Sequence, residues 1–141
     1  MMRRAFIATT LAAATLMFTA PPVLAQAAKQ GIVVQVSDDS EANWNQAINV
    51  VRNIQNSYGK DKVDVELVVF GNGAGLLKFD SPLAGRIDDT LANGAQVVMC
   101  ENSMKARKLT PADMHAKIGY VKAGVVEIIE RQKQGWAVIR P

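Results

Sequence analysis

Cys100 is the single thiol among 141 residues, and it stands where a thiol can do chemistry. It closes the apolar run Ala95-Gln-Val-Val-Met-Cys100 and immediately precedes a segment that reads as the start of a helix. The thiolate is the nucleophile in thiol reactions, and the amino end of a helix favours negative charge. Asn102 or Ser103 is expected to cap the short basic turn that follows, and Lys105, Arg107 and Lys108, within two turns, favour the same charged form. Glu101 opposes them. The competing reading is structural: a free cysteine ending an apolar run behaves as a small buried hydrophobe. A lone cysteine also excludes an intramolecular disulfide framework and a four-thiolate zinc site within one chain.

A second candidate is the loop Gly71-Asn72-Gly73-Ala74-Gly75, whose backbone N–H groups could face an anion. The dinucleotide fingerprint needs glycine where Leu76 stands, and the phosphate loop needs a Gly-Lys-Ser/Thr sequence that is absent. Gly71, Gly73 and Gly75 therefore read either as a small-anion site or as a tight turn that needs positive φ. The acidic stretch Asp38-Asp39-Ser40-Glu41 reads as helix capping, with too few oxygen ligands for a hard-cation site. His115, with no second histidine at ligand spacing, reads as a surface residue. Met99, Met104 and Met114 show no metal-binding repeat and read as core fillers. The sequence implies no cofactor and no metal.

The elements that must hold these residues follow from periodicity. Residues 31–36 form a β-branched run without clean alternation, as in a strand covered on both faces. Ser40 then caps a helix in which Trp44, Ala47, Ile48, Val51, Ile54 and Tyr58 recur at helical spacing until Gly59 stops it. Residues 63–70 alternate and then turn wholly apolar, as a second strand. Ser81-Pro82 predicts a helix start, with Leu83, Ile87 and Leu91 on one face and Gly94 as the stop. Residues 95–100 are a third strand, and Thr110-Pro111-Ala112-Asp113 a second cap. A weaker strand over 117–122 precedes a helix over 123–134, expected to turn Val125, Val126 and Ile129 inward and the Glu127/Arg131 pair outward. Residues 136–139 are the last strand.

Five strands alternating with helices predict an α/β domain: a flavodoxin-like, three-layer α/β/α arrangement around a mostly parallel five-stranded sheet. In such sheets the site lies beyond the carboxyl ends of the strands, here the loops after Val36, Phe70, Cys100 and Lys122.

Composition agrees with one ordinary domain, since 49% hydrophobic and 21% charged residues are too apolar and too mildly charged for a disordered chain. Residues 1–25 read as a cleaved export signal: Arg3 and Arg4, an apolar stretch from Ala5 to Ala20, and Val23-Leu24-Ala25 at the cleavage point. The apolar stretch is shorter than the ~20 residues a membrane span needs, so no stable span is expected once the signal is removed. Arg3-Arg4-Ala5-Phe6-Ile7 is similar to a twin-arginine motif, so the general and the folded-state export routes both stand. The domain is then residues 26–141, in the periplasm. The two arginines are the only charged residues of the signal, so the remainder holds 14 basic and 13 acidic residues. That near-neutral, interleaved pattern with few aromatics excludes nucleic-acid binding.

Taken as a set, Val97-Val98-Met99-Cys100-Glu101-Asn102-Ser103-Met104-Lys105-Ala106, Leu109-Thr110-Pro111, Ala123-Gly124-Val125-Val126-Glu127-Ile128 and Gly135-Trp136-Ala137-Val138-Ile139-Arg140-Pro141 resemble the DsrE/DsrF-like family of intracellular sulfur oxidation. The chain departs from that family's common pattern at Glu101, after the cysteine, and at Phe70, before the glycine loop. The resemblance implies homo-oligomers and sulfur relay, with Cys100 as the catalytic thiol that accepts a sulfane sulfur as a persulfide. A protein thiol would be the donor or acceptor. Two other readings of the same fold stand beside it: a non-catalytic small-anion-binding module and an oligomeric assembly subunit.

Overall fold

The first apolar run forms β1 (Gln30–Val36), buried on both faces as its unbroken β-branched character dictates. Ser40 opens α1 (Glu41–Tyr58): its Oγ accepts from the Asn43 N–H, and Gly59, at φ +87°, closes the helix. Trp44, Ala47, Ile48 and Val51 are buried as the spacing requires. At the last turn the buried residue is Gln55, which donates to the Asn93 carbonyl (3.0 Å), while Tyr58 is exposed. Residues 29–141 are described by the computed structural model, and the leader expected over residues 1–25 lies outside them.

After β2 (Val63–Val69) the chain makes a 3₁₀ segment (Gly71–Leu77) and then α2 (Ala84–Ala92). The helix starts later than Ser81-Pro82 predicts. Ser81 instead forms a buried turn, its Oγ accepting from the Leu83 N–H at 3.3 Å, because Leu83 is drawn into the core and takes a non-helical conformation at the cap. Then come β3 (Gln96–Cys100), α3 (Glu101–Ala106), a 3₁₀ turn (Pro111–Asp113), β4 (Gly119–Val121), α4 (Gly124–Lys133) and β5 (Ala137–Ile139). The 3₁₀ turn carries the capping box expected of Thr110 and Asp113.

All four strand pairings are parallel, in the order β4-β3-β2-β1-β5. The chain steps outward from β1 to β4 and then returns past β1 to add β5. Right-handed crossovers in opposite directions put the connecting helices on opposite faces, and the core divides accordingly. On one face Trp44, Ile48 and Val51 of α1 and Ile87 of α2 pack on Ile32, Val34, Val65, Leu67, Val97 and Met99. On the other, Ile128 of α4 packs alone on Val33, Val68 and Val98, flanked by Phe70, Val121, Trp136 and Val138. The result is the three-layer α/β/α domain that the element order predicts.

The orientation of α4 reverses the expectation from its sequence. Val125, Val126 and Ile129 are 53%, 54% and 44% exposed, while Gly124 and Ile128 are buried. Glu127 and Arg131 turn toward the sheet. The reason lies on β2: Glu66 points into this face at 1% exposure and is held by Arg131 through two contacts, Nε to Oε2 at 2.7 Å and NH2 to Oε1 at 3.2 Å. A carboxylate buried without a partner is strongly unfavourable, so the guanidinium must come inward. Glu127 joins it at 2.9 Å, and Trp136 stacks beneath, 4.5 Å from the guanidinium carbon.

Candidate functional site

The carboxyl ends of β1 to β4 are stitched into one rim. The Phe70 N–H donates to the Val36 carbonyl (3.0 Å), the Asn72 N–H to Ser37 (3.2 Å), and the Asn102 N–H to Lys122 (3.2 Å). Ser103 Oγ accepts from the Gly71 N–H at 2.8 Å, and Arg107 donates to the Gly71 carbonyl (2.8 Å) and to Asn72 Oδ1. The glycine loop after β2 is thereby fixed to α3.

Cys100 lies at the centre of this rim. It is itself the N-cap of α3, a position the sequence assigns to Asn102 or Ser103; both fall inside the first turn. Because β3 alternates, Met99 faces the α1/α2 core and Cys100 the opposite side, beneath Phe70 and the amino end of α4. The residue is 4% exposed. Burial, the largest single influence, pushes the thiol pKa up. The Ser103 hydroxyl and the N–H groups of Gly124, Ser103 and Asn102 act the other way, and together they outweigh it and hold the thiol below its ordinary value. The Sγ makes no side-chain cap hydrogen bond; the thiol sits between the first turn of α3 and the amino end of α4, where backbone dipoles favour negative charge.

Of the four residues expected to support the thiolate, Asn102 and Ser103 lie beside Cys100 in the first turn of α3, the Asn102 N–H donating to the Lys122 carbonyl and the Ser103 Oγ accepting from the Gly71 N–H. Arg107 serves the rim by holding Gly71 and Asn72. Lys105 is exposed, on a groove with Glu101, Met104, Leu109, Pro111 and Tyr120 on the other side of α3. Two of the three glycines have packing reasons. A Cβ at Gly73 would lie 2.8 Å from the Val36 carbonyl oxygen, and one at Gly75 2.8 Å from the Trp44 indole; Gly71 supplies a positive φ of 56°. The positive-φ turn reading therefore accounts for Gly71 alone, and close packing against Val36 and Trp44 for Gly73 and Gly75.

His115 corrects the sequence reading. It is buried, its Nδ1 accepting from the Lys117 N–H (3.3 Å) and its Nε2 lying 3.5 Å from Asp88 of α2. Its N–H donates to Leu77 on the α1/α2 face, across the sheet from Cys100. The acidic stretch after β1 is capping, as expected: Asp38 accepts from the Ser40 N–H at 3.1 Å. Among the described residues, no three His, Cys, Asp or Glu side chains are grouped to hold a metal, and no helix is long and apolar enough to cross a membrane.

Gly124 is the site residue that sequence reasoning missed. Its N–H favours the charged form of the thiol, and a Cβ there would lie 3.0 Å from Phe70 Cβ and 3.4 Å from Cys100 Cβ. The signal was a glycine opening a helix after a strand, where no positive φ is needed.

Fold and site define a class: parallel α/β domains with a thiol at a strand end cradled by helix amino ends. The chain belongs to the DsrE/DsrF-like family, whose profile it matches over residues 14–141. Among solved structures it is similar to MTH1491 from Methanobacterium thermoautotrophicum, described as of unknown function, with 28% identity and TM-score 0.77 over 80% of this chain and 100% of that one. BT1422 from Bacteroides thetaiotaomicron (14%, TM-score 0.65, 79% and 95% covered) and the ychN protein from E. coli (12%, 0.64, 81% and 99%) share the fold. Among curated proteins none matches.

Proposed function

We propose that this protein is a sulfur-relay protein in which Cys100 carries a sulfane sulfur. One arrangement supports the reading above others: a thiol at 4% exposure caps α3 at the end of β3, the amino end of α4 closes on it so that a Cβ at Gly124 would lie 3.4 Å from Cys100 Cβ, and the Ser103 hydroxyl and neighbouring N–H groups favour its charged form against the effect of burial. An inert core cysteine has no need of such a cradle. The step is an exchange. The Cys100 thiolate attacks the outer sulfur of a donor persulfide R–S–SH, forming Cys100–S–SH as the inner S–S bond breaks and the donor leaves as R–S⁻. No oxidant is consumed, and transfer to an acceptor thiol is the same step reversed. The thiol is buried, with Phe70 and Cys100 both against Gly124, so access from solvent is restricted. With this reading goes the leader at residues 1–25, which supports export and chemistry in the periplasm.

The test is exposure of the folded protein to a small-molecule persulfide, followed by intact-mass measurement. The wild type gains one sulfur atom, about 32 Da, and Cys100→Ser, with an unchanged circular dichroism spectrum, gains none. Sulfur loading retained in Cys100→Ser overturns the proposal.

The outward apolar stripe of α4 favours a second reading, a homo-oligomeric assembly subunit, because the roll imposed by Glu66 and Arg131 leaves Val125, Val126 and Ile129 exposed side by side, a patch that a second copy could cover. Sedimentation that shows a concentration-dependent oligomer in wild type and a monomer in Val126→Lys supports it; a wild type that stays monomeric removes it.

A further inference from the structure

Cys100 is served from two sides, and the second side depends on a helix that its own sequence would turn the other way. At 100° per residue, the directions of Gly124, Glu127, Ile128 and Arg131 cluster on one face of α4. Those of Val125, Val126 and Ile129 cluster about 160° away. Packed by apolar periodicity alone, α4 would bury the valines and carry Gly124 to solvent. In the fold it is rolled the other way, with Arg131 on Glu66 and Glu127 and Ile128 seated among Val33, Val68 and Val98.

We propose that the Glu66–Arg131–Glu127 ion cluster and Gly124 are positioning elements for Cys100: the cluster fixes the roll of α4, and the glycine lets its amino end close onto the thiol, so that α4 tunes Cys100 reactivity. The inference rests on the reading of Cys100 as a working thiolate. Two observations carry it. Gly124 has no positive φ to accommodate, so its lack of a side chain serves close approach: a Cβ would crowd Phe70 Cβ and Cys100 Cβ, neither of which can rotate away. The cluster is over-determined, with Arg131 bonded to two carboxylates and seated over Trp136, and Trp136 in turn fills the space where Gly31 lacks a Cβ, 2.2 Å from where one would stand. Buried ion clusters also serve better as specifiers of one arrangement than as sources of stability.

The charged groups around the thiol are otherwise disposed toward solvent. Glu101, Lys105 and Arg107 of α3 and Lys122 before α4 are exposed. Glu66 and Glu127, the acidic groups on the α4 side, are both held by Arg131.

The experiment is the rate of iodoacetamide alkylation of Cys100 in the folded protein as a function of pH. Four proteins are compared: wild type, Gly124→Ala, the double variant Glu66→Leu/Arg131→Met, and Leu67→Ala as a control on the other face. The double variant removes one charge of each sign, so a change in its profile reports helix position and not net charge, and apolar replacement of a buried pair commonly preserves folding. The alkylation midpoint is expected to rise by about half a pH unit or more in Gly124→Ala and in the double variant, and to stay at the wild-type value in Leu67→Ala. A double variant that is folded and titrates as wild type overturns the inference, whether or not Gly124→Ala folds. A wild-type midpoint at the ordinary cysteine value instead overturns the reading of Cys100 as a thiolate, which separates the two failures.

Discussion

The two faces of the sheet are built on different principles. The α1/α2 face is a continuous apolar core in which helix spacing decides most of what is buried, and among the described residues its one ion contact with a buried partner, His115 to Asp88, lies at its margin at 3.5 Å. The α4 face has four core side chains and, beside them, a carboxylate at 1% exposure with its guanidinium partner. The first face follows hydrophobic area, which is non-directional. The second follows charge pairing, which is directional and overrides area: three large apolar side chains are left in water so that one arginine can reach one glutamate. Cys100 lies on the second face, where orientation is specified most narrowly.

The largest effect that sharpens this contrast is expected from Arg131→Met alone. It leaves Glu66 buried without a partner and costs about 3–5 kcal/mol in urea unfolding, and Glu66→Leu added to it restores most of that loss. If the single variant is as stable as wild type, charge pairing does not organise this face. On the opposite face, Leu67→Ala should cost about 3 kcal/mol through the cavity it leaves and give no gain when paired with a second change at the cluster. Lys108, the non-glycine residue in the left-handed region at φ 56° after α3, offers a smaller test: Lys108→Gly should stabilise by about 0.5–1 kcal/mol, because a side chain there is strained. Smallest of all, Val126→Lys should change the monomer's unfolding free energy by under about 0.5 kcal/mol. A severe loss in that variant would mean that α4 is rolled as its periodicity suggests and would break the comparison.

The same contrast explains what could be read from the residues alone. β1, α1, β2 and β3 follow from periodicity and from Ser40, Gly59 and Gly94, because their burial is decided within each segment. The position of Cys100 at a strand end was legible for that reason, and so were the loops that surround it. The roll of α4 was not, because it depends on Glu66, some sixty residues away, whose burial nothing local to α4 announces. His115 was misread in the same way: its partners, Asp88 and Leu77, come from α2 and the 3₁₀ segment. The role of Gly124 depends on what stands opposite it, which is a property of the assembled rim.

The pairing of β1 with β5 bears on how the chain reaches this state. Ile32, Val33 and Val34 find their partners at Ala137, Val138 and Ile139, about a hundred positions later. Closing so long a loop is slow compared with forming the local β-α-β units. During synthesis β1 therefore waits with one edge open until β5 has emerged. An open edge of buried β-branched residues is a template for pairing with another chain. Disruption of β5, for example by Val138→Pro, should accordingly show itself first as aggregation during folding, and only secondarily as reduced equilibrium stability.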